Sequence, residues 1–416
     1  MPPERTSSAA AASSPGTWPW RILLVTLFAS TLSNMDQSLF GYAVPGMMRD
    51  LGFGLGGIGL MISASFACAI FSAPALAAGV PRWGAPAVLA LSVAGSAVFV
   101  GLLAFVASPT LFAVVRVIGF GISAAIIPVS SAYLATHAPE RGRALLIAIQ
   151  QCGYPLGWFC ASTYAAPLMA AHGWRAPFYV AFAVIPLSWS IYALLPRASP
   201  AGSVAVMARD PRRYAVSRRL FDPEFRRLTV TFGAAFFLYG GAVGGTSFYL
   251  PTFFEQARGY DPSTATHVVG LSYAIGMIGY VGAAIVSEVW LSRVATVVVW
   301  LLVASAGLLG TIWLPHSVRE DTIAFGLTTI FYYGASSIML TCLLERFPAA
   351  LCAAAASIAG TACISLGFVV FPLLTAAAAK SLGWLDGLSV SIVPAVLLAA
   401  LLIASLPRTR AAPAGG

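Results

Sequence analysis

Long apolar runs, interrupted at regular intervals by arginine, proline, glycine or short polar clusters, cover almost the whole chain. They fall at about 21–45, 55–80, 86–107, 110–135, 144–169, 176–195, 227–254, 264–290, 294–315, 321–343, 351–378 and 387–406. A helix needs about 20 residues to cross a hydrocarbon core of roughly 30 Å, and each run is near or above that length. Backbone groups in hydrocarbon must be satisfied within their own segment, so the runs read as twelve spanning helices and the fold class as all-α integral membrane. The expected organisation is a disordered tail at 1–20, a six-helix bundle at 21–196, a basic loop at 197–226, a second six-helix bundle at 227–407 and a short tail at 408–416.

Composition narrows this further. The 416 residues are 59% hydrophobic and 9% charged, against roughly 45–50% and about 25% in soluble domains. Twelve spans use about 240 residues, which leaves no room for a soluble catalytic or nucleic-acid-binding domain. Four scattered histidines and few intramembrane acids assemble no nucleophile, base or metal site, so neither an enzyme nor a cofactor is expected. The six cysteines lie singly in apolar stretches and read as small hydrophobes.

Lys+Arg number 23 against 14 Asp+Glu, with Lys380 the single lysine. The arginines gather in alternate loops: Arg21, Arg82, Arg141, Arg143, Arg293 and Arg346 fall on one side, with eight more between Arg197 and Arg227. Arg49, Arg175, Arg258, Arg319 and Lys380 fall on the other side. The positive-inside rule therefore expects both termini in the cytoplasm and the protein in the plasma membrane. The basic central loop is expected to meet anionic lipid.

Local patterns recur between the halves. Leu156-Gly157 returns as Leu366-Gly367 and Gly173-Trp174 as Gly383-Trp384, both 210 residues later. Pro139 matches Pro348 at an offset of 209, and Pro45, taken as the end of the first span, matches Pro251 at 206. Four matches in the same order imply a duplicated six-helix unit, an arrangement that places a substrate site near mid-membrane between the halves.

Arg116-Val117-Ile118-Gly119-Phe120-Gly121 opens the fourth span, which leaves through Pro139-Glu140-Arg141-Gly142. Together with the 6+6 layout, this resembles the major facilitator superfamily over nearly the whole chain; Leu344-Glu345-Arg346-Phe347-Pro348 resembles the equivalent loop of the second half. The superfamily's loop between helices two and three appears as Pro81-Arg82-Trp83-Gly84, with proline in place of its aspartate, and its second-half copy as Ser287-Glu288 to Arg293. In the superfamily this element latches the two bundles on the cytoplasmic side. The resemblance therefore implies a gating role for Arg82, Glu288, Arg293, Glu345 and Arg346, and a monomer that works by alternating access.

Among the 14 acidic residues, Asp36 alone lies deep in a span, between Asn34 and Gln37. An intramembrane carboxylate is a functional candidate by default. Counted along oppositely directed helices, Asp36 and Arg116 reach similar depth. Two readings are open: Asp36 exchanges a proton while Arg116 binds an anionic substrate, or the two form a fixed ion pair joining the first and fourth helices.

Asn34-Met35-Asp36-Gln37 also resembles the superfamily's organic-anion branch, which includes proton-coupled sugar-acid and aromatic-acid symporters. The resemblance implies uptake of a small organic anion, a carboxylate, driven by the proton gradient. The Gly153-Tyr154-Pro155 stretch loosely resembles a motif of drug:proton antiporters and keeps efflux open as the alternative. Gln150 and Gln151, Tyr239 and Tyr249, and Tyr332 and Tyr333 are further candidates for lining the cavity, since an amide facing lipid is costly and one facing a cavity is not.

Overall fold

The structure, a computed structural model, describes residues 19–138, 143–195, 218–314 and 317–406. The tails, the loop motif Pro139–Gly142 and most of the basic central segment lie outside the described residues.

A helix, or two in succession, occupies each of the twelve expected stretches. The first half contains Trp20–Leu51, Leu55–Ala77, Ala85–Leu102, then the pairs Pro109–Ser123 with Ile126–His137, Arg143–Gln151 with Gly153–His172, and Ala176–Tyr179 with Ala181–Leu194. The second half contains Pro223–Ser247 with Leu250–Gln256, then Pro262–Val289, Arg293–Trp313 and Val318–Arg346. It closes with Ala349–Ala355, a π-helical turn at Ala356–Ala362 and a long run, Cys363–Ala404, which turns at Gly383. We refer to these stretches in order as the first to twelfth helices.

Among the described residues, nine helical segments are long and apolar enough to cross a membrane, one of them covering both the eleventh and twelfth helices. The first and fifth helices are the exceptions. The first carries the polar run Ser33-Asn34-Met35-Asp36-Gln37-Ser38, and the fifth, which breaks at Cys152, carries Gln150, Gln151, Tyr154 and the run Ser162-Thr163-Tyr164. Both are sheltered by neighbouring helices, which is where polar side chains are tolerated at depth. The lipid-facing surface is apolar, with Phe71 and Trp290 each 77% exposed.

Several helix starts are capped by side chains. Ser108 accepts from the Leu111 N–H ahead of Pro109, Asp261 accepts from Ser263 and Thr264 ahead of Pro262, and Ser317 forms a reciprocal capping box with Glu320. One boundary differs from expectation. The first helix does not end at Pro45 but continues to Leu51 and stops at Gly52, whose φ of 68° reverses the chain. Pro45 removes one donor from a helix whose other bonds persist, and packing against neighbours offsets that loss.

Within the first half, the first helix packs on the fifth, the second on the fourth, and the third on the sixth. Within the second, the seventh packs on the eleventh and the eighth on the tenth. The two most extensive junctions between the halves are the second helix with the eleventh and the fifth with the eighth. Ser63 donates to the Val369 carbonyl across the first seam at 2.5 Å, and Trp158 stacks on Tyr273 across the other with centroids 4.8 Å apart.

The repeat is visible as matched contacts. A Cβ on Gly157 would meet the Thr31 carbonyl and Asn34 backbone, and a Cβ on Gly367 would meet the Phe237 carbonyl and Gly240 backbone. Thr31 and Asn34 map onto Phe237 and Gly240 at the offset of 206 that relates Pro45 to Pro251. Gly173 and Gly383 share a φ of 82°. The tryptophan after each points back to its own half: Trp174 donates to Asp50 at 2.7 Å and Trp384 to Gln256 at 2.8 Å, and these acceptors are also 206 residues apart.

Candidate functional site

The polar run of the first helix is buried against the third, fourth and fifth helices. The Ser96 hydroxyl donates to the Asp36 carboxylate at 2.6 Å. Asn34 donates to the Ser30 carbonyl one turn earlier at 2.8 Å and accepts from Gln37 at 3.3 Å. Gln150 donates to the Ser30 hydroxyl at 2.7 Å and accepts from Ser131 at 3.0 Å, tying the fifth helix to the first and fourth. Gln151 is half-buried and makes no hydrogen bond among the described residues.

Arg116 is 4% exposed, and its guanidinium lies 4.5 Å from the Phe40 centroid and 5.1 Å from that of Phe120. Its Nε is buried with no hydrogen-bond partner, and no described carboxylate lies within 4.0 Å. Asp36 and Arg116 thus make no direct ion pair among the described residues. Phe40 follows Asp36 by one helical turn, so Arg116 is packed against the ring above the carboxylate while Ser96 satisfies the carboxylate itself. Two ring faces recover only part of the cost of desolvating a cation.

Under Arg116 the rings continue across the seam between halves. Phe66 lies 4.6 Å from Phe120 and stacks on Phe368 of the eleventh helix at 4.4 Å. Phe40 and Trp158 both contact Phe248, at 6.2 and 6.0 Å.

The tyrosines divide into two groups. Tyr332 and Tyr333 line a small cavity with Thr246, Ser247, Tyr273 and Thr328, of about 10 Å³. Tyr239 lies beside it, its hydroxyl donating to the Tyr332 carbonyl at 3.0 Å. Tyr249 does not reach this region. Its hydroxyl donates to the Pro372 carbonyl at 3.2 Å and to that of Leu55 at 3.4 Å, which makes it part of the seam at the face opposite the arginine-rich one. The break after Ser247 turns Tyr249 toward the second helix, a change of direction that helical periodicity does not anticipate.

The expected latch is reduced to a single pair. Arg293 and Glu345 are ion-paired, both within the second half. Arg346 turns back to the Cys342 carbonyl at 3.1 Å, while Arg82 and Glu288 are exposed and have no ion-pair partner among the described residues. Glu288 lies at the exposed end of its helix, and Pro81 leaves Arg82 without an acid beside it in the chain.

Residues 26–372 match the model of the Major Facilitator Superfamily. The chain belongs to the Major Facilitator Superfamily. It is a multi-pass integral membrane transporter and not an enzyme. The gallate transporter of Pseudomonas putida is 26% identical to it over 336 residues, covering 73% of this chain and 74% of that protein. The 4-hydroxybenzoate transporter PcaK of Pseudomonas aeruginosa is 27% identical over 158 residues, 38% of this chain and 35% of its own. Among solved structures, the partially occluded inward-open xylose transporter XylE from E. coli has a TM-score of 0.71 at 16% identity, covering 94% of this chain and 98% of that one.

Within this superfamily fold, sequence reasoning missed Ser96 and, among the tyrosines, Tyr273 and Tyr280. Nothing in the sequence distinguishes Ser96 from other serines in apolar spans. Tyr273 and Tyr280, two turns apart on one helix face, did carry a signal, and both contact Tyr333, at 5.4 and 6.3 Å.

Proposed function

We propose that this transporter takes up small aromatic carboxylates by proton-coupled symport, with both termini cytoplasmic and the two halves rocking in alternating access. The observation that carries the reading is Arg116: a buried guanidinium between two phenylalanine rings with no described carboxylate within 4.0 Å. A carboxylate fits its fork with two parallel charge-assisted bonds, and an aromatic ring fits the phenyl surfaces around it. Asp36, held by Ser96 one turn away, supplies a group whose proton can be exchanged, since a buried carboxylate and a bound anion repel each other unless one of them is neutral. Proton binding at Asp36 thereby favours anion binding at Arg116, which is the thermodynamic requirement for symport. The names of the relatives, a gallate transporter and a 4-hydroxybenzoate transporter, agree with an aromatic acid as cargo.

The test is uptake of labelled benzoate, 4-hydroxybenzoate and gallate into proteoliposomes, with and without an inward proton gradient. Acid-stimulated uptake that disappears in Arg116→Gln, and loses its response to the gradient in Asp36→Asn, supports the reading. Absence of uptake of every acid, with extrusion of a lipophilic dye against the gradient, overturns it in favour of efflux.

A further inference from the structure

The two oxygens of the Asp36 carboxylate have different surroundings. Oδ2 accepts from the Ser96 hydroxyl at 2.6 Å, while Oδ1 has no hydrogen bond among the described residues. Asp36 is 7% exposed and Ser96 2%, so the bond between them is shielded from water. The donor comes from an otherwise apolar span. Ser92 and Ser96 are the only polar side chains of Ala85–Leu102, and helical spacing puts them one turn apart on the face that the third helix buries.

The other groups facing Asp36 act at longer range. From the helices packed on the first, the fourth brings the Arg116 guanidinium and the fifth the Tyr164 hydroxyl, and neither is hydrogen-bonded to the carboxylate among the described residues. The acid of the seventh helix, Glu255, meets the first at Arg49, about 20 Å further along at 1.5 Å per residue. The sixth helix carries no acid or base, and those of the eighth, His267 and Glu288, lie toward its two ends. Arg116 stays cationic and Tyr164 neutral near physiological pH, so neither changes when Asp36 gains a proton. Ser96 differs from both, because its hydroxyl touches whichever form of the acid is present.

We propose that Ser96 is a positioning residue that sets the proton affinity of Asp36, and with it the pH at which transport is coupled. The inference rests on the reading of Asp36 as the proton-carrying group. A hydroxyl donates to an ionised carboxylate about twice as strongly as to a neutral acid, so the Ser96 bond favours the ionised form. When a proton arrives on Oδ1, the Ser96 O–H keeps its place on Oδ2, which is then the carbonyl oxygen of the neutral acid. Oδ2 keeps its donor in both states, and the weakening of the bond on protonation helps the proton leave again.

Acid-stimulated uptake of labelled 4-hydroxybenzoate into proteoliposomes, followed across the acid and neutral range, reads the midpoint of coupling. Ser96→Ala should move that midpoint up by about one pH unit, the difference between a hydrogen bond to a charged group and one to a neutral group. Ser96→Cys, whose thiol is a weak donor, should move it in the same direction by less, and carries the test if Ser96→Ala fails to fold. Ser92→Ala removes a similarly buried hydroxyl one turn away and should leave the midpoint in place. Infrared difference spectra give a midpoint without substrate: the C=O stretch of the protonated carboxyl, assigned by its loss in Asp36→Asn, should titrate at higher pH in Ser96→Ala. A wild-type midpoint for that band in Ser96→Ala, or an equal shift in Ser92→Ala, overturns the role of Ser96 and leaves the transport reading standing. If the wild type takes up no 4-hydroxybenzoate at any pH, the transport reading loses its support and the infrared titration decides for Ser96 alone: a displaced band supports the role and an undisplaced one overturns it.

Discussion

Arg49 and Glu255 occupy equivalent positions in the two halves, 206 residues apart, and they pair with each other across the seam at 3.4 Å. Residues related by the repeat can meet in this way only near the axis relating the halves. The opposite signs at one repeat position make the contact attractive. Glu255 is almost fully buried while Arg49 is 60% exposed, so the acid bears most of the desolvation cost.

That asymmetry predicts a pH response at the mouth. Burial pushes the Glu255 carboxyl up to about 7 from an ordinary value of 4.5, with Arg49 opposing the rise. A mouth that opens returns Glu255 to water and to its ordinary range, so the closed mouth binds more protons between about pH 4.5 and 7. Acid should therefore stabilise the closed mouth, and raising the pH through 7 should weaken it. Spin labels at Ala107→Cys and Val318→Cys, in a background without native cysteines, should report a shorter distance distribution at pH 5.5 than at pH 8. Glu255→Gln should abolish the shift; a shift that survives in that variant would falsify the assignment to Glu255.

The fork geometry of Arg116 makes a second prediction. Arg116→Lys keeps a positive charge but loses the planar pair of donors and the flat face packed on Phe40 and Phe120. The KM for an aromatic carboxylate should rise about tenfold, equivalent to about 1.4 kcal/mol, in concentration-dependent uptake. A KM within twofold of the wild type would mean that only the charge of Arg116 matters.

The two glycine crossings make a third. Ala at Gly157 or Gly367 sets a methyl against backbone of the facing helix, which cannot rotate away as a side chain can. Each should cost about 1–3 kcal/mol of stability and lower the thermal midpoint in detergent. Gly282→Ala, where nothing lies within 4 Å, should not. Equal midpoints for all three variants would remove close packing as the reason for these glycines.

A fourth concerns a buried network at the same face as Arg49. Asp321 is fully buried, lies 3.7 Å from Arg258 and accepts from Tyr260 at 2.5 Å, while Arg258 donates to the Thr311 and Leu314 carbonyls at the end of the ninth helix, both at 2.7 Å. Asp321→Ala leaves a largely buried guanidinium without its carboxylate, a change that costs about 3–5 kcal/mol. Thermal unfolding should show a large drop, and retained wild-type stability would show that the carbonyls alone hold Arg258.

How much of this was legible beforehand depends on the kind of interaction. The apolar runs and the repeat offsets could be read directly, because hydrocarbon forces the backbone into helices. Asp36 and Arg116 stood out for the same reason: an ionisable group in an apolar run is rare enough to be informative on its own. The sequence by itself thus determined the helices, the duplicated halves, and the two charges that any mechanism must use.

Tertiary structure decided which groups meet. It hydrogen-bonded Asp36 to Ser96, placed Tyr249 in the seam instead of the cavity, and brought Arg49 onto Glu255. These contacts depend on the rotation and crossing of helices distant in the chain. Hydropathy sets how deep a residue lies in a membrane helix but not, in a helix apolar on every side, which neighbour it faces. That choice falls to close packing at positions such as Gly157 and Gly367, where the helix backbones come into contact.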